Sequence, residues 1–521
     1  MTQTPPPGDQ PKSMYESTAQ RNVLLFVLLV GAFVLILNQT LLNTALPHLM
    51  DYFDITAGEA QWVTTLFMLV NGIMIPVTAF LIGKFSTRQL FIGAMILFSV
   101  GTLVAALAPA YWILLLGRVL QAAAGGIIMP LMQTILFAIF PRNKRGSAMG
   151  VFGLIIGFAP AIGPSLSGWI VDHYPWHALF WLMLPFSLVS ATIAAVLLKN
   201  VTERTDPTLD VLSVVLSTLG FGGLLFGFSM VGTAGWTAPA TLVSLAVGLV
   251  ALVWFIRRQL RLDEPMLQLR VLRNRQFTLN TVLGALVFIA MIGGMIILPV
   301  VMQTMLGFSA LESGLALLPG ALIMGLISPI TGRLFDRFGG RWLVVVGFAL
   351  ITGTGAAFAN LSTGTTFTYI AVVNALRMIG TSMVMMPATT AALNQLPPRM
   401  IPHGTAVNNT IRQVAASVGT AVLVSVMTMS AGPGLEGGIQ GANTAFWVAT
   451  AVAALGFVGG FFIRNSHGEE TEGNVKTKVE PPRTETPNAA VITESSVEAP
   501  TDATTARALD PLAPEDVEKL K

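Results

Sequence analysis

The stretch FVLLVGAFVLILNQTLLNTALP, residues 26–47, decides the fold, because an uninterrupted apolar run is followed at once by several polar side chains. About 20 apolar residues in a helix are enough to cross the hydrocarbon core of a bilayer. Buried amides are costly unless they meet a partner. Asn38, Gln39 and Asn43 must therefore contact neighbouring helices or face water inside the protein.

The rest of the chain has the same character, since 53% of its 521 residues are hydrophobic and only 11% are charged. Its mean hydropathy is +0.71, whereas a soluble domain has roughly 25% charged residues. Strands are implausible, because a membrane strand uses only about 10 residues of alternating polarity and the apolar runs are far longer. An all-α membrane protein with fourteen spanning helices is predicted. The apolar runs lie near 22–47, 60–83, 89–108, 111–137, 147–171, 177–198, 210–231, 240–256, 277–304, 311–332, 341–361, 366–393, 404–429 and 442–463.

Enzyme chemistry is not indicated by any familiar motif. The chain has no Cys, which excludes thiolate metal sites and Cys nucleophiles. Its five His residues do not have the spacing of a metal site, and we find no nucleotide-binding or serine-hydrolase motif. We therefore expect no enzyme activity, no metal and no cofactor.

Lys and Arg are concentrated in every second loop, near residues 84–88, 142–145, 199–204, 257–275, 333–341 and 399. The intervening loops, such as DYFDITAGE and SAGPGLEGGIQG, contain none. The positive-inside rule places the basic loops in the cytoplasm, which predicts a multi-pass plasma-membrane protein with both termini cytoplasmic. The net charge of +3 is then explained by the basic cytoplasmic loops, which orient the protein in the membrane. It does not indicate a nucleic-acid partner. Residues 1–20 and 465–521 are predicted to be cytoplasmic tails, the second one disordered.

An internal repeat relates the two ends of the chain, because matching residues recur 249 to 259 positions apart. The matched pairs are Gly83 with Gly332, Arg118 with Arg377, and Gly146 with Gly404. The repeat predicts a six-helix bundle over 21–199, an inserted helix pair over 200–262 and a second bundle over 263–464. Parallel repeats of this kind place one central site between two bundles.

Six stretches, in order, resemble the motifs of the major facilitator superfamily and, within it, the fourteen-span drug:proton antiporters of the lincomycin-resistance and multidrug efflux type. They are LNQTLLNTALP, LLGRVLQAAAGG, GFAPAIGPSLSG, LDVLSVVLSTLG, LPVVMQTMLGFSALESGLALLP and GRLFDRFGGR. The resemblance covers about residues 21–464. It implies two six-helix bundles plus two central helices, and export of lipophilic compounds or antibiotics by proton antiport and alternating access.

The stretch GRLFDRFGGR places Asp336 between two arginines in a tight turn. In the resembling family such a loop latches the cytoplasmic side shut; the alternative is a basic loop that only sets the topology. The paired loop of the first half, GKFSTRQLF, lacks the acid. The predicted latch residues are Gly83, Lys84, Arg88, Gly332, Arg333, Asp336, Arg337, Gly339 and Arg341.

The stretch GFAPAIGPSLSG combines small residues, which permit close helix contact, with prolines, which bend a membrane helix. The resemblance implies the antiporter signature of the fifth helix, which seals the pathway against leak, and simple packing is the alternative. The residues of this motif are Gly157, Pro160, Gly163, Pro164 and Gly168.

Arg118 lies inside the fourth apolar run, where a charge is costly unless it faces a cavity or a partner. For Arg118, Arg377 and Arg412 the alternative is a side chain that extends to the membrane interface. In the resembling family the corresponding Arg takes part in proton coupling. That family usually has an acid at the position of Asn38, and no Asp or Glu occupies the middle of any run. Asp172, His173 and His177 are the remaining candidates, because imidazole titrates near neutral pH. Ordinary interfacial solvation is their alternative role.

The substrate pathway is predicted to be lined by polar, Met and Trp residues of the runs. These residues are Asn38, Gln39, Asn43, Trp62, Met68, Asn71, Gln121, Gln133, Gln303, Asn374, Arg377, Asn408, Asn409 and Arg412. Buried arginines without a nearby acid repel a dication in a low dielectric, so neutral, zwitterionic or anionic lipophilic cargo is expected.

Two other hypotheses stay open. The protein could export an endogenous amphiphile, such as a lipid, a fatty acid or a signalling nucleotide, or it could be a non-transporting membrane scaffold or sensor. The lipid bilayer, a small lipophilic substrate and protons are the expected partners. The sequence does not determine the oligomeric state, and a monomer is favoured.

Overall fold

Helices form all the regular structure that the computed structural model describes, which comprises residues 18–464 except 202, 203 and 206. The predicted tail over 465–521 and most of the tail over 1–20 lie outside the described residues. Fourteen helices are long and apolar enough to cross a membrane. The predicted all-α, fourteen-span fold is therefore confirmed.

The fourteen spanning helices are numbered here in chain order. They are α1 Thr18–Phe53, α2 Trp62–Lys84, α3 Thr87–Ala106, α4 Tyr111–Ile139, α5 Arg145–His173, α6 Ala178–Leu197, α7 Val211–Ala234, α8 Pro239–Arg261, α9 Arg275–Val300, α10 Ala310–Phe338, α11 Arg341–Phe358, α12 Phe367–Asn394, α13 Ile401–Met429 and α14 Gly434–Gly460. Short turns of helix at Ala57–Ala60, Arg142–Lys144, Leu269–Arg273 and Pro398–Met400 lie between them, and the π-helical turn Val301–Met305 extends α9.

Several helices extend beyond the predicted apolar runs, α1 and α14 among them. Helix α1 continues past Pro47 to Phe53, and α14 begins at Gly434 although the apolar run was placed at 442. A Cβ at Gly441 would lie 2.2 Å from the carbonyl oxygen of Met427, so glycine here allows α14 to pack against the end of α13. Hydropathy locates the hydrocarbon crossing and does not detect helical turns that extend beyond it.

The same five helix pairs pack together in both halves of the chain. In the first half, α1 packs on α5 and α6, α2 packs on α4, and α3 packs on α4 and α6. In the second half, α9 packs on α13 and α14, α10 on α12, and α11 on α12 and α14. Each contact of α1–α6 thus recurs eight helices later, as expected of a parallel repeat. We call α1–α6 the first half and α9–α14 the second half.

The inserted helices α7 and α8 pack mainly on each other, and α7 also contacts α2 and α13. Arg258 donates from Nε and Nη2 to the Asp210 carboxylate over 2.8 and 3.0 Å. This bidentate pair lowers the pKa of Asp210 to about 2, so the carboxylate stays ionised at physiological pH. The pair joins the start of α7 to the end of α8.

Candidate functional site

The two halves meet most extensively along α5 and α10. A Cβ at Gly332 would lie 2.3 Å from the carbonyl oxygen of Gly146, and one at Gly157 would lie 2.7 Å from the backbone nitrogen of Gly325. These contacts lie eleven residues apart on α5, which is about 16 Å along a helix. The seam therefore covers about half of the membrane thickness, next to the loops rich in Lys and Arg. We call that side the basic side.

The Asp336 carboxylate of α10 caps the first turn of α5. It accepts hydrogen bonds from the backbone N–H groups of Gly146 and Ser147, both over 2.7 Å, and from the Ser147 hydroxyl over 2.5 Å. The unpaired N–H groups and the dipole of a helix N-terminus favour a negative charge at this place. Arg333 and Arg337, beside Asp336 in the sequence, are exposed. The acid of the second half therefore binds the backbone of the first half.

The corresponding turn of the first half makes different contacts. Thr87 lies 249 residues before Asp336, the same offset that relates Gly83 to Gly332. Its backbone N–H and hydroxyl donate to Asn200 over 3.0 and 3.1 Å, and the Gly83 carbonyl accepts from the backbone of Thr205 over 3.2 Å. This turn is therefore attached to the segment after α6.

A second group of bonds joins the halves inside the membrane. Asn409 of α13 donates to Gln133 Oε1 of α4 over 2.8 Å. One turn further toward the basic side, the hydroxyl oxygens of Thr134 and Thr405 lie 3.1 Å apart. Polar pairs between membrane helices each contribute about 0.6 kcal/mol. Together with the Asp336 cap, they join the two halves toward the basic side.

Arg118 and Asn38 share one acceptor in the interior of the first half. Gln121 Oε1 accepts from Arg118 Nη1 over 2.9 Å and from Asn38 Nδ2 over 3.2 Å. Gln121 Nε2 in turn donates to the Thr102 hydroxyl over 2.8 Å. Four side chains from α1, α3 and α4 thus form one connected polar network.

The rest of the Arg118 guanidinium is held by α2. Its Nε donates to the carbonyl oxygen of Val63 over 3.3 Å, and its Cζ lies 4.2 Å from the centroid of the Phe67 ring. Arg118 is 0% exposed and Asn38 is 2% exposed, so the network does not face open space in this conformation. Arg118 Nη2 has no hydrogen-bond partner among the described residues, and an unsatisfied buried donor is costly.

Arg377, the repeat counterpart of Arg118, is buried in the second half. Its Nη2 donates to the carbonyl oxygen of Ala290, whereas Nε and Nη1 have no partner in the described part of the chain. The rings of Phe358 and Phe446 each lie 5.9 Å from its Cζ. Aromatic faces partly compensate a cation that lacks a carboxylate.

Arg412 of α13 has a similar environment. Its Cζ lies 4.5 Å from the centroid of the Phe288 ring, and its Nη1 donates to the Thr389 hydroxyl over 3.5 Å. One turn away, Asn408 donates to the Thr281 hydroxyl over 3.2 Å. Its Oδ1 is buried and accepts no hydrogen bond from any residue that the structure describes. The three buried arginines therefore contact aromatic rings, hydroxyls, backbone carbonyls and, for Arg118, the side-chain amide of Gln121.

The other predicted pathway residues are placed differently. Asn374 is buried and donates to the Leu317 carbonyl over 3.4 Å. Met68 and Gln303 are exposed, and Gln39, Trp62 and Asn71 are partly exposed. The side chain of Asn43 lies outside the described part of the structure.

The three polar candidates near the start of α6 do not form one cluster. Asp172 is exposed. His173 donates from Nδ1 to the Trp169 carbonyl oxygen over 2.8 Å and stacks on that indole. His177 stacks instead on Trp176, with ring centroids 3.7 Å apart, and burial lowers its pKa below the usual value. Each of the two histidines therefore stacks on a different tryptophan.

The glycine and proline motif of α5 connects three helices. Gly157 contacts α10 as described above, and a Cβ at Gly163 would lie 2.2 Å from the Thr40 hydroxyl of α1. Pro160 and Pro164 lie within α5, which stays helical throughout. A Cβ at Gly168 would have no atom within 4 Å. The motif thus packs closely along most of its length and is open at its last residue.

Several residues of these contacts were not predicted from the sequence. They are Thr102, Thr134, Ser147 and Thr405, together with the rings of Phe67, Phe288, Phe358 and Phe446. Small polar residues in an apolar helix are the one signal that could have indicated the first four. The rings had no signal, because the chain has 30 Phe residues.

The fold and the paired halves define a membrane transporter, and residues 28–420 match the Major Facilitator Superfamily. The chain belongs to this family, and it is a transporter and not an enzyme. The "Uncharacterized MFS-type transporter YcnB" of Bacillus subtilis (strain 168) is 51% identical over 457 residues, which cover 87% of this chain and 97% of the relative.

Two other relatives carry more specific names. The "Lincomycin resistance protein LmrB" of Bacillus subtilis (strain 168) is 42% identical over 85% of this chain and 95% of the relative. The "Multidrug export protein EmrB" of Escherichia coli (strain K12) is 26% identical over 79% of this chain and 81% of the relative. The resemblance to fourteen-span exporters is thereby confirmed.

A solved structure with the same fold is titled "Crystal structure of the human organic anion transporter MFSD10 (TETRAN)". It matches with a TM-score of 0.64 and 15% identity over 85% of this chain and 100% of that chain. At this identity the match shows the fold alone.

Proposed function

We propose that this protein exports lipophilic compounds, antibiotics among them, by proton antiport and alternating access in the plasma membrane, with its basic side in the cytoplasm. The observation that carries the proposal is the Asp336 cap on α5, because a carboxylate of the second half there binds the backbone of the first half on the basic side. The names of the relatives, which refer to lincomycin resistance and multidrug export, support the substrate class.

Transport in this scheme requires the two halves to move against each other. We assign residues 21–199 and 263–464 to the moving halves and 200–262 to the inserted pair. Opening of the basic side would break the Asp336 cap and the Gln133–Asn409 bond. These bonds are few and exposed to competition by water once the helices part, so a substrate that prefers one state by a few kcal/mol can shift the equilibrium.

Proton coupling is assigned to the network around Arg118. The resembling family has an acid at the position of Asn38, and here the amide donates to Gln121, the same oxygen that Arg118 uses. Arg118 Nη2 is a buried donor that finds no acceptor among the residues that the structure describes. We propose that proton exchange accompanies a change of conformation, or the binding of a ligand, that gives Arg118 Nη2 a hydrogen-bond acceptor. Asp172, His173 and His177, on the side opposite the basic side, are the proposed groups that take up and release the proton.

The charge of the interior supports a preference among substrates. Arg118, Arg377 and Arg412 are buried, and the described parts of the helices have no Asp or Glu near their midpoints. A positive or neutral interior repels a dication most strongly. Neutral, zwitterionic and anionic lipophilic compounds are therefore the proposed cargo.

Reconstitution in liposomes tests the proposed function. With an imposed pH gradient, the purified protein should drive the flux of a neutral lipophilic dye at a rate at least about tenfold above that of an equally lipophilic dication. A protonophore should abolish the gradient-driven part. A flux that ignores the gradient would contradict proton antiport, and the absence of any flux would favour a scaffold or sensor.

A further inference from the structure

One face of α8 is not covered by any of the residues that the structure describes. Val243, Val247, Val250 and Trp254 are all exposed, and Val250 and Trp254 reach 67% and 56% exposure. Their spacing of three and four residues places them on one side of the helix. The same side continues to Arg257, which is also exposed. A strip of apolar residues therefore ends at a cation.

The opposite face of α8 is fixed by packing and hydrogen bonds. Phe255 is 0% exposed, and Gln259 donates to the Ser213 hydroxyl over 2.6 Å and accepts from the backbone of Leu267 over 3.0 Å. These contacts fix the rotation of α8 about its axis. The exposed strip must therefore face the bilayer.

A turn of 3-10 helix adds another cation at the end of this strip. Arg270 donates from Nη2 to the carbonyl oxygens of Leu260 and Leu262 over 3.2 and 3.4 Å, which holds the turn Leu269–Arg273 against the end of α8. Residues three apart share a side of a 3-10 helix, so Arg273 lies on the same side as Arg270. Arg273 is exposed.

The exposed cations at this end exceed the exposed acids. Arg258 is neutralised by Asp210 and does not contribute. Within residues 257–275, which the structure describes without a gap, the exposed arginines are Arg257, Arg261, Arg273 and Arg275, and the exposed acids are Asp263 and Glu264. A headgroup phosphate placed at this end would therefore meet an excess of positive charge.

The dimensions match one lipid molecule. Val247 lies ten residues before Arg257, which corresponds to about 15 Å along a helix and to half of a hydrocarbon core of about 30 Å. At Val247 the strip meets an apolar groove of about 450 Å³ between α7 and α8, which Leu219, Gly222 and Phe226 line from the other side. An acyl chain that starts at Arg257 would reach this groove.

We propose that α8 and the turn after it form a binding site for an anionic phospholipid in the leaflet on the basic side. The phosphate binds Arg257, Arg261 and Arg273, and one acyl chain follows the exposed strip toward the groove. The cluster of arginines alone would serve to orient the protein. The fixed helix face, the interfacial Trp254 and the groove make the site specific for a lipid.

Native mass spectrometry of the full chain tests this proposal. The protein is equilibrated with equal amounts of phosphatidylglycerol and phosphatidylethanolamine of the same chain length, and the retained lipids are counted. Phosphatidylglycerol should be retained preferentially by the unchanged protein. The double variant R257Q/R261Q should reduce that preference by roughly tenfold, because each basic residue contributes to anionic-lipid binding.

The matched control removes two exposed cations elsewhere on the basic side. Arg142 and Lys144 are both exposed, and R142Q/K144Q should leave the preference unchanged. R273Q, which leaves α8 intact, should lower it as well, so a folding defect of the double variant is distinguishable. Equal retention by R257Q/R261Q, or an equal loss in R142Q/K144Q, would overturn the proposed site.

Discussion

Oxidation of a T134C/T405C variant should stop transport completely, and a reductant should restore it. The two hydroxyl oxygens lie 3.1 Å apart and belong to different halves, so the replacing sulfurs can reach bonding distance with little movement of the backbone. The disulfide would hold the basic side closed. The natural chain has no Cys, so the new pair has no competing thiol. Dye flux in liposomes, before and after oxidation, measures the effect.

Two control pairs lie within single halves. The hydroxyl oxygens of Ser99 and Ser187 in the first half are 2.8 Å apart, and those of Ser328 and Ser382 in the second half are 3.0 Å apart. Cross-links in S99C/S187C and S328C/S382C should leave transport largely intact, because they join helices that move together. Normal flux through cross-linked T134C/T405C would show that the halves need not separate there.

Arg118→Gln should lower the flux driven by a pH gradient by about 100-fold, the upper range of coupling between sites. Exchange of labelled for unlabelled substrate without a gradient should persist, because the α5–α10 seam does not involve Arg118. The physical reason is the loss of the only cation that bridges Gln121 of α4 and the Val63 carbonyl of α2 within the described network. Gradient-driven flux and exchange are measured in the same liposomes.

Arg377→Gln is the matched control for the coupling role. Arg377 is also buried and lies in the other half. Its replacement therefore perturbs helix packing to a similar extent as the replacement of Arg118. Its flux should fall less and should keep its dependence on the pH gradient. Gradient-driven transport that survives in R118Q, or that disappears equally in R377Q, would contradict the proposal that Arg118 has a special role in proton coupling.

The spanning helices could be predicted from the sequence because each contains enough apolar residues to cross a bilayer. The spacing of three residues also placed Arg118 and Gln121 on one face of α4, and a hydrogen bond of 2.9 Å joins them. Local periodicity carries this kind of information. The start of α14 was missed, because Gly434 and its neighbours are helical without being hydrophobic enough to be recognised.

Contacts between distant helices could not be predicted in the same way. Asp336 was recognised as unusual, but its partners are backbone N–H groups 190 and 189 residues away, and every residue except proline has such a group. The Phe67 ring beneath Arg118 had no distinguishing spacing either. Such partners depend on how helices pack, which hydropathy and motif spacing do not specify.

Distances between spin labels on the two sides of the membrane test alternating access most directly. One pair, N143C/R275C, joins exposed positions of the two halves on the basic side, and the other, P109C/T363C, joins exposed positions on the opposite side. A change from neutral to acidic buffer with substrate present should lengthen the first distance and shorten the second in the same sample. Distributions that stay unchanged on both sides while the protein transports would contradict the rocking of two halves.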